Sequence, residues 1–364
     1  MIAAFYGFRG GNGGISHVLL NLMNALAQSS IQVDILLNDP RIPELKYLHP
    51  RVRIVQLGRA AGLLRIPALM RYLRQTRPDA LMTCREPANR AAIAARILSG
   101  VDTAIVVRVG MTISRALKRR APIKRWLRKQ TIRFCYDRND AVVANAVGVA
   151  EDIARLTGIP GDKLHVINNP TVTDDLMNQA RQSVTHPWLV PGAPPVIIGV
   201  GRLARQKDFA TLIRAFAGVR TALDCRLMIL GEGKEKQALM TLADALGVRQ
   251  AVDFPGYVAN PFAYMRRSAL FVLSSAWEGS PNVLIQALAL GIPVVSTDCH
   301  SGPREILAHG RYGPLVPVGN AEAMTAAIIR ALKNPPPVML MQEAADRFRV
   351  DDNVTRYMKV MGLT

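Results

Sequence analysis

Short apolar runs and helical stripes alternate along this chain. Residues 2–6 form an apolar run that stops at Gly7, the length of a buried strand. Val18, Leu19, Leu22, Met23 and Leu26 then recur at the i, i+3, i+4 spacing of a helix. The same alternation predicts strands at 31–37, 52–57, 79–83, 103–107, 141–145 and 164–167. Helices are predicted at 68–77, 88–98, within 114–133 and at 147–157. Residues 171–195 break the rhythm, with Pro187, Pro191, Pro194 and Pro195 in no periodic frame, and read as a linker. A second series follows, with strands at 196–200, 226–230, 252–255, 270–273 and 293–296. Its helices fall at 209–219, 235–246, 263–268, 282–290 and 321–333. Pro335–Pro337 interrupts the chain before a last helical stretch near 338–362. Strands and helices that alternate with short links describe parallel α/β sheets.

The expected class is therefore α/β, with two Rossmann-like parallel-sheet domains. They would occupy 1–170 and 196–340, joined by the linker 171–195, with a C-terminal helix in 341–364 expected to pack back on the first domain. Ligands bind such sheets at the carboxyl ends of the strands, so the expected site is a cleft that the two domains face.

A length of 364 residues and a hydrophobic fraction of 49% supply two cores. Aromatic residues make up only 5%, which argues against a platform for stacking single-stranded nucleic acid. Cys84, Cys135, Cys225 and Cys299 are scattered, without metal or redox spacing, and read as free thiols of a reducing compartment. No basic flank precedes an apolar run at the N-terminus, and no apolar stretch reaches the ~20 residues of a membrane span. The expected location is cytoplasmic.

Charge changes the picture more. The formal net charge is +19. Residues 1–190 carry 27 Lys/Arg against 13 Asp/Glu, whereas 191–364 carry 19 against 14, so the excess belongs to the first half. From Ser114 to Arg133 there are nine bases and no acid: Arg115, Lys118, Arg119, Arg120, Lys124, Arg125, Arg128, Lys129 and Arg133. Ile123, Trp126, Leu127 and Phe134 are interleaved with them at roughly helical spacing. A basic helix with an apolar stripe and a Trp suits an anionic lipid surface. Arg119, Arg120, Lys124, Arg125, Trp126, Arg128 and Lys129 are the membrane-facing candidates. The alternatives are a solvated face whose stripe packs on its own domain, and nucleic acid, for which no recognition motif is present.

Three segments carry candidate chemistry. Gly10-Gly11-Asn12-Gly13-Gly14 lies between a strand and a helix, where glycines admit a close ligand and the helix amides suit phosphate. It is not G-x-G-x-x-G, and the alternative is a tight turn only. Gly201-Arg202-Leu203-Ala204-Arg205-Gln206-Lys207-Asp208-Phe209 follows a strand, so Arg202 and Lys207 fall at its carboxyl end, where they could clamp a diphosphate. The alternative is an ordinary basic loop. Trp277-Glu278-Gly279-Ser280-Pro281-Asn282 leads from a strand into a helix that carries Gln286. Ser280 or the loop amides could cap that helix or hold an anion, and Glu278 and Gln286 could accept hydrogen bonds from sugar hydroxyls.

Gly-Arg-Leu-x-x-Gln-Lys-Asp-Phe, then Glu278 to Asp298, then Ser301 to Leu307 resemble the retaining nucleotide-sugar glycosyltransferases of family 4, with the GT-B fold. Gly13-Gly14 before the first helix and Asn169-Pro170 are similar too. The resemblance is dense over about 196–320 and looser over 1–170. It implies that Arg202 and Lys207 hold the donor diphosphate, and that Gly13 and Gly14 offer amides to it. It implies that Glu278 is the first acid of the family's paired glutamates, near the transferred sugar. Ser280, Asn282 and Gln286 complete the implied donor set.

The second glutamate, the ribose contact, falls on Gln286, a departure that removes charge but leaves an acceptor. Relatives carry a histidine near the acceptor side. Here 106–114 offers Arg108 and Ser114, and His17 lies after the glycine loop. The implied reaction moves a sugar, UDP-sugar favoured, to a glycan or lipid-linked acceptor of cell-surface polysaccharide or lipopolysaccharide. It would use no metal and no cofactor, at the inner face of the cytoplasmic membrane. No Asp-x-Asp occurs. Other readings are a GT-B enzyme of different chemistry, such as a nucleotide-sugar epimerase or phosphorylase, or a non-catalytic nucleotide-sugar binder.

Overall fold

The computed structural model describes residues 1–11, 13–58, 62–118 and 121–364, of which 62, 63 and 118 in backbone only. Asn12, Arg119 and Arg120 lie outside the described residues. The chain divides into two units, Met1–Thr171 with Phe348–Thr364, and Val172–Arg347.

The first unit is a seven-stranded parallel sheet. Its strands are β1 (Ile2–Tyr6), β2 (Gln32–Leu37), β3 (Val52–Gln56), β4 (Ala80–Thr83), β5 (Ala104–Val109), β6 (Ala141–Ala144) and β7 (Leu164–Val166), in the order β3-β2-β1-β4-β5-β6-β7. The central strands are buried along nearly their whole length, as strands covered on both faces must be. Asp34, in β2, is fully buried and is held by the Arg53 guanidinium and by the Tyr72 hydroxyl at 2.7 Å, so its charge is compensated.

The second unit is a six-stranded parallel sheet of β8 (Val196–Val200), β9 (Arg226–Leu230), β10 (Val252–Gly256), β11 (Leu270–Leu273), β12 (Val294–Thr297) and β13 (Leu315–Val316), ordered β10-β9-β8-β11-β12-β13. Strand order reverses between β1 and β4 in one sheet and between β8 and β11 in the other. Loops at such a reversal diverge to opposite faces and leave a crevice at the carboxyl edge. The glycine-rich segment follows β1, the 201–208 loop follows β8, and the 274–281 loop follows β11.

The elements differ from the expectations in several places. The stretch 171–195 contains a helix, Asp175–Arg181, that packs on helix Pro261–Arg266 of the second unit; the prolines that suggested a linker all follow that helix. The basic segment forms two helices, Ile113–Lys118 and Pro122–Asp137. The final stretch is also two helices: Val338–Asp346 belongs to the second unit and Val350–Val360 to the first. Val354, Tyr357, Met361 and Leu363 enter the core beside the helix Gly14–Gln28. Two-residue β13 is too short to show as an apolar run.

Candidate active site

At the carboxyl edge of the second sheet, β8 and β11 are neighbours, and this brings the 201–208 and 274–281 loops together. The Lys207 ammonium lies 2.6 Å from Glu278 Oε1, with the Lys207 and Glu278 side chains 17% and 7% exposed. Ser275 Oγ donates to the same carboxylate oxygen at 2.7 Å, and Gln206 Nε2 donates to Oε2 at 3.3 Å and to the Trp277 carbonyl at 3.1 Å. Ser274 Oγ donates to the Lys207 carbonyl at 2.7 Å, and the Ala276 amide to the Gln206 carbonyl at 2.8 Å, which lace one loop to the other. Thr297 Oγ1 holds the Ser275 carbonyl from β12. The carboxylate thus meets three donors, and the ammonium is aimed rather than free to wander. Arg202, on the same loop, is exposed.

Glycines shape this site. Gly231, after β9, has φ +138°, and a Cβ there would lie 2.0 Å from the Gly201 carbonyl oxygen. Gly233 has φ +158°, and its Cβ would lie 2.1 Å from the Leu203 oxygen. The Gly201 and Leu203 amides bond to the Leu230 and Glu232 carbonyls, so the 231–233 loop supports the 201–203 backbone that carries Arg202. Gly231→Ala is expected to displace the 201–203 backbone and lower the melting temperature, because a backbone oxygen cannot yield as a side chain does. A thermal melt unchanged from the parent would contradict this packing.

Asn282 and Gln286 lie one turn apart on the helix Asn282–Ala289, both half-buried. The N-cap of that helix is Pro281, whose own side chain makes no capping bond. The Cys299 thiol is pushed up to about 12, chiefly by burial and then by the Glu278 charge, and stays protonated at neutral pH. All four cysteines are free. Among the described residues no three His, Cys, Asp or Glu side chains gather so as to hold a metal ion.

In the first unit Gly13 is the N-cap of helix Gly14–Gln28, and the Ser16 amide and hydroxyl bond to the Gly13 and Gly10 carbonyls. Gly10 and Gly11 have φ +68° and +92°. The Gly11 amide donates to Glu44 Oε1 at 2.9 Å, so an amide of this loop already takes an anionic oxygen. Glu44, 33 residues away, carries no sequence signal for this. Desolvation lowers the His17 pKa, and the charge of Glu44 opposes it.

The basic helix Pro122–Asp137 buries Ile132, Cys135 and Tyr136 and leaves Ile123, Trp126, Leu127 and Phe134 at least half exposed. The Phe134 ring is covered on one side by the Arg138 guanidinium, 3.7 Å from its centroid. Lys124 and Arg125 are exposed. Arg128 differs from expectation. Its guanidinium turns inward to an ion pair with Glu86, because the helix presents position 128 toward the helix Glu86–Ser99. Lys129 is half-buried.

Two doubly wound parallel sheets, the second with a lysine–glutamate pair at its reversal point, define the GT-B class. Anabaena HepE in complex with UDP has the same fold, with a TM-score of 0.80, 18% identity and complete coverage of both chains. Residues 12–175 match the model described as Glycosyltransferase Family 4, and residues 182–348 the model described as Glycosyl transferases group 1. The chain belongs to this glycosyltransferase family.

It is 34% identical over 196 residues to the N-acetylgalactosamine-N,N'-diacetylbacillosaminyl-diphospho-undecaprenol 4-alpha-N-acetylgalactosaminyltransferase of Campylobacter jejuni, covering 54% of this chain and 52% of that one. It is also 34% identical over 197 residues to the lipopolysaccharide core biosynthesis glycosyltransferase LpsE of Rhizobium meliloti, 54% of this chain and 55% of that one. The chain spans about half the length of the curated relatives it matches.

Proposed function

We propose that this protein transfers a sugar, with retention of anomeric configuration, from a nucleotide diphosphate sugar to a glycan or lipid-linked acceptor in cell-surface polysaccharide or lipopolysaccharide synthesis. The carrying observation is the Lys207–Glu278 pair, largely buried at the carboxyl edge of β8 and β11, the edge at which parallel sheets of this kind bind ligands. Lys207 and Arg202 bind the diphosphate and neutralise the charge that grows on it as the anomeric C–O bond breaks. Glu278 faces the transferred sugar and accepts from its hydroxyls. The acceptor oxygen bonds to the anomeric carbon on the face the diphosphate leaves, and the acceptor's proton passes to a departing phosphate oxygen. No step calls for a metal ion. In the first unit Gly13 and Gly14 are the anion-binding amides. A UDP-sugar is favoured by the fold shared with HepE, whose structure holds UDP. The names of the Campylobacter and Rhizobium relatives favour a lipid diphosphate-linked or lipopolysaccharide acceptor. Proton NMR of the product tests the mechanism: the small anomeric coupling of an α-linked product from an α-donor is expected, and an inverted product overturns it.

Gln286 and Asn282 contact the nucleotide and sugar, with Ser280 beside them. A neutral amide accepts more weakly than a carboxylate by roughly 1 kcal/mol. Gln286→Glu should therefore tighten UDP about fivefold by calorimetry; an unchanged or weaker affinity removes residue 286 from the ribose.

The exposed Ile123, Trp126, Leu127 and Phe134, set among Lys124 and Arg125, are proposed to seat the first unit on an anionic membrane surface, with the protein at the cytoplasmic face. No described helix is long and apolar enough to cross a membrane. The protein should float with phosphatidylglycerol vesicles and not with phosphatidylcholine ones. Trp126→Ser with Leu127→Ser should cut flotation at least tenfold, and equal flotation of parent and variant contradicts the surface.

A further inference from the structure

The carboxyl edge of the first sheet holds a polar cluster that the donor chemistry does not use. Arg108, near the end of β5, is 2% exposed. Its Nε donates to the Tyr357 hydroxyl at 3.1 Å and its Nη2 to Asn169 Oδ1, and both partners are neutral. A guanidinium buried against neutral oxygens is costly unless a counter-charge joins it. Arg9 after β1 and Arg85 after β4 add to the same field, since all three guanidiniums act on the Cys84 thiol.

A second observation points to a missing ligand at the same place. Asn145, directly after β6, is 3% exposed, and its Oδ1 is buried with no partner among the described residues. An acceptor left so is unfavourable until a donor reaches it. Its Nδ2 makes only a long bond, 3.5 Å, to the Gly110 carbonyl. Gly110 sits against both side chains: a Cβ there would lie 3.5 Å from Arg108 Nη1 and 3.7 Å from Asn145 Nδ2, ordinary contact distances.

We propose that Arg108, Asn145 and Gly110 form the subsite for the phosphate-bearing end of the acceptor, a glycosyl phosphate either free or carried on a lipid. Arg108 Nη1 meets a phosphate oxygen, Asn145 Oδ1 accepts a sugar hydroxyl, and Gly110 sits against both side chains. The inference rests on the first unit being the acceptor side.

The test is calorimetric titration of the full chain, saturated with UDP, with glucose 1-phosphate and separately with undecaprenyl diphosphate in detergent. Binding of at least one probe is expected. The lipid probe binding tighter identifies a lipid-borne acceptor, and glucose 1-phosphate binding tighter identifies a free one. Gly110→Ala meets its neighbours at ordinary contact distance, so it should fold normally while filling the subsite. Asn145→Asp puts a carboxylate beside Arg108, so thermal stability should hold or rise while the phosphate is repelled. Each variant is expected to weaken the probe at least tenfold and to change UDP affinity less than twofold.

Neither probe binding to the UDP-loaded parent, or both variants binding like the parent, overturns the proposal. So does loss of UDP binding in Gly110→Ala, which would assign the cluster to the donor. If the parent fails to bind UDP at all, the donor reading is what fails. The same titrations into the free protein then decide the subsite.

Discussion

Lys207→Ala should lose about 10²–10³-fold in kcat, the effect of removing one fixed charge from a developing anion. Two features make the loss this large. The ammonium is held at 2.6 Å by Glu278 within a loop whose backbone is tied to β9 and to the 274–281 segment. Its orientation is therefore set before the donor arrives. Arg202 is exposed on the same loop and supplies a second positive charge, so binding of the donor should weaken less than turnover. Lys207→Arg should restore part of the binding and little of the rate, because a planar guanidinium does not fill the position of an ammonium under Gly201. The rate of nucleotide release from the preferred donor, measured at saturating donor, reads the split. Parent-like kcat in Lys207→Ala excludes the diphosphate role.

Glu278→Ala is expected to be the most damaging change to the second unit apart from backbone disruption. It strands the Lys207 ammonium, 17% exposed, without its counter-charge, takes the acceptor from Ser275 and leaves Gln206 Nε2 only the Trp277 carbonyl. Breaking a buried pair from one side costs about 3–5 kcal/mol, which at this size lowers the melting temperature by roughly 10 °C. Activity should vanish with it. Glu278→Gln separates the two roles. It keeps the volume and one acceptor oxygen, so the melt should recover most of the loss, whereas transfer should stay low because the charge facing the sugar is gone. Full activity in Glu278→Gln would show that only hydrogen bonding matters at this position.

Much of this site was readable from residue order because its motifs are local. Gly201 to Phe209 and Glu278 to Gln286 each sit in a strand–loop–helix unit whose apolar pattern marks the strand end. What local order could not show is which loops meet. Lys207 reaches Glu278 because β8 and β11 are adjacent at the point of strand reversal, and adjacency across a crossover leaves no trace in periodicity. The same holds for Gly231 and Gly233. They support the 201–203 backbone, yet in the chain they are an unremarkable turn after β9. Arg128 shows the converse failure. Its place among nine bases suggested an exposed charge, and a glutamate 42 residues earlier took it inward. The helix in 171–195 leaves no periodic mark, because seven residues are too few to establish a stripe beside four prolines. The final helical stretch was read as one because the break at Arg347 and Phe348 is set by a bond from the Thr171 amide to the Phe348 carbonyl, a tertiary contact.

The central claim is that the second unit binds the diphosphate of a nucleotide sugar through Lys207, and a thermal-shift panel tests it most directly. UDP-, GDP-, ADP- and dTDP-sugars would each be added at about a hundred times the expected dissociation constant, where one-site binding stabilises by ~2.7 kcal/mol. The account predicts that UDP-sugars raise the melting temperature by several degrees and that Lys207→Ala loses most of that shift. No stabilisation by any nucleotide sugar, or the same shift in parent and Lys207→Ala, would contradict it.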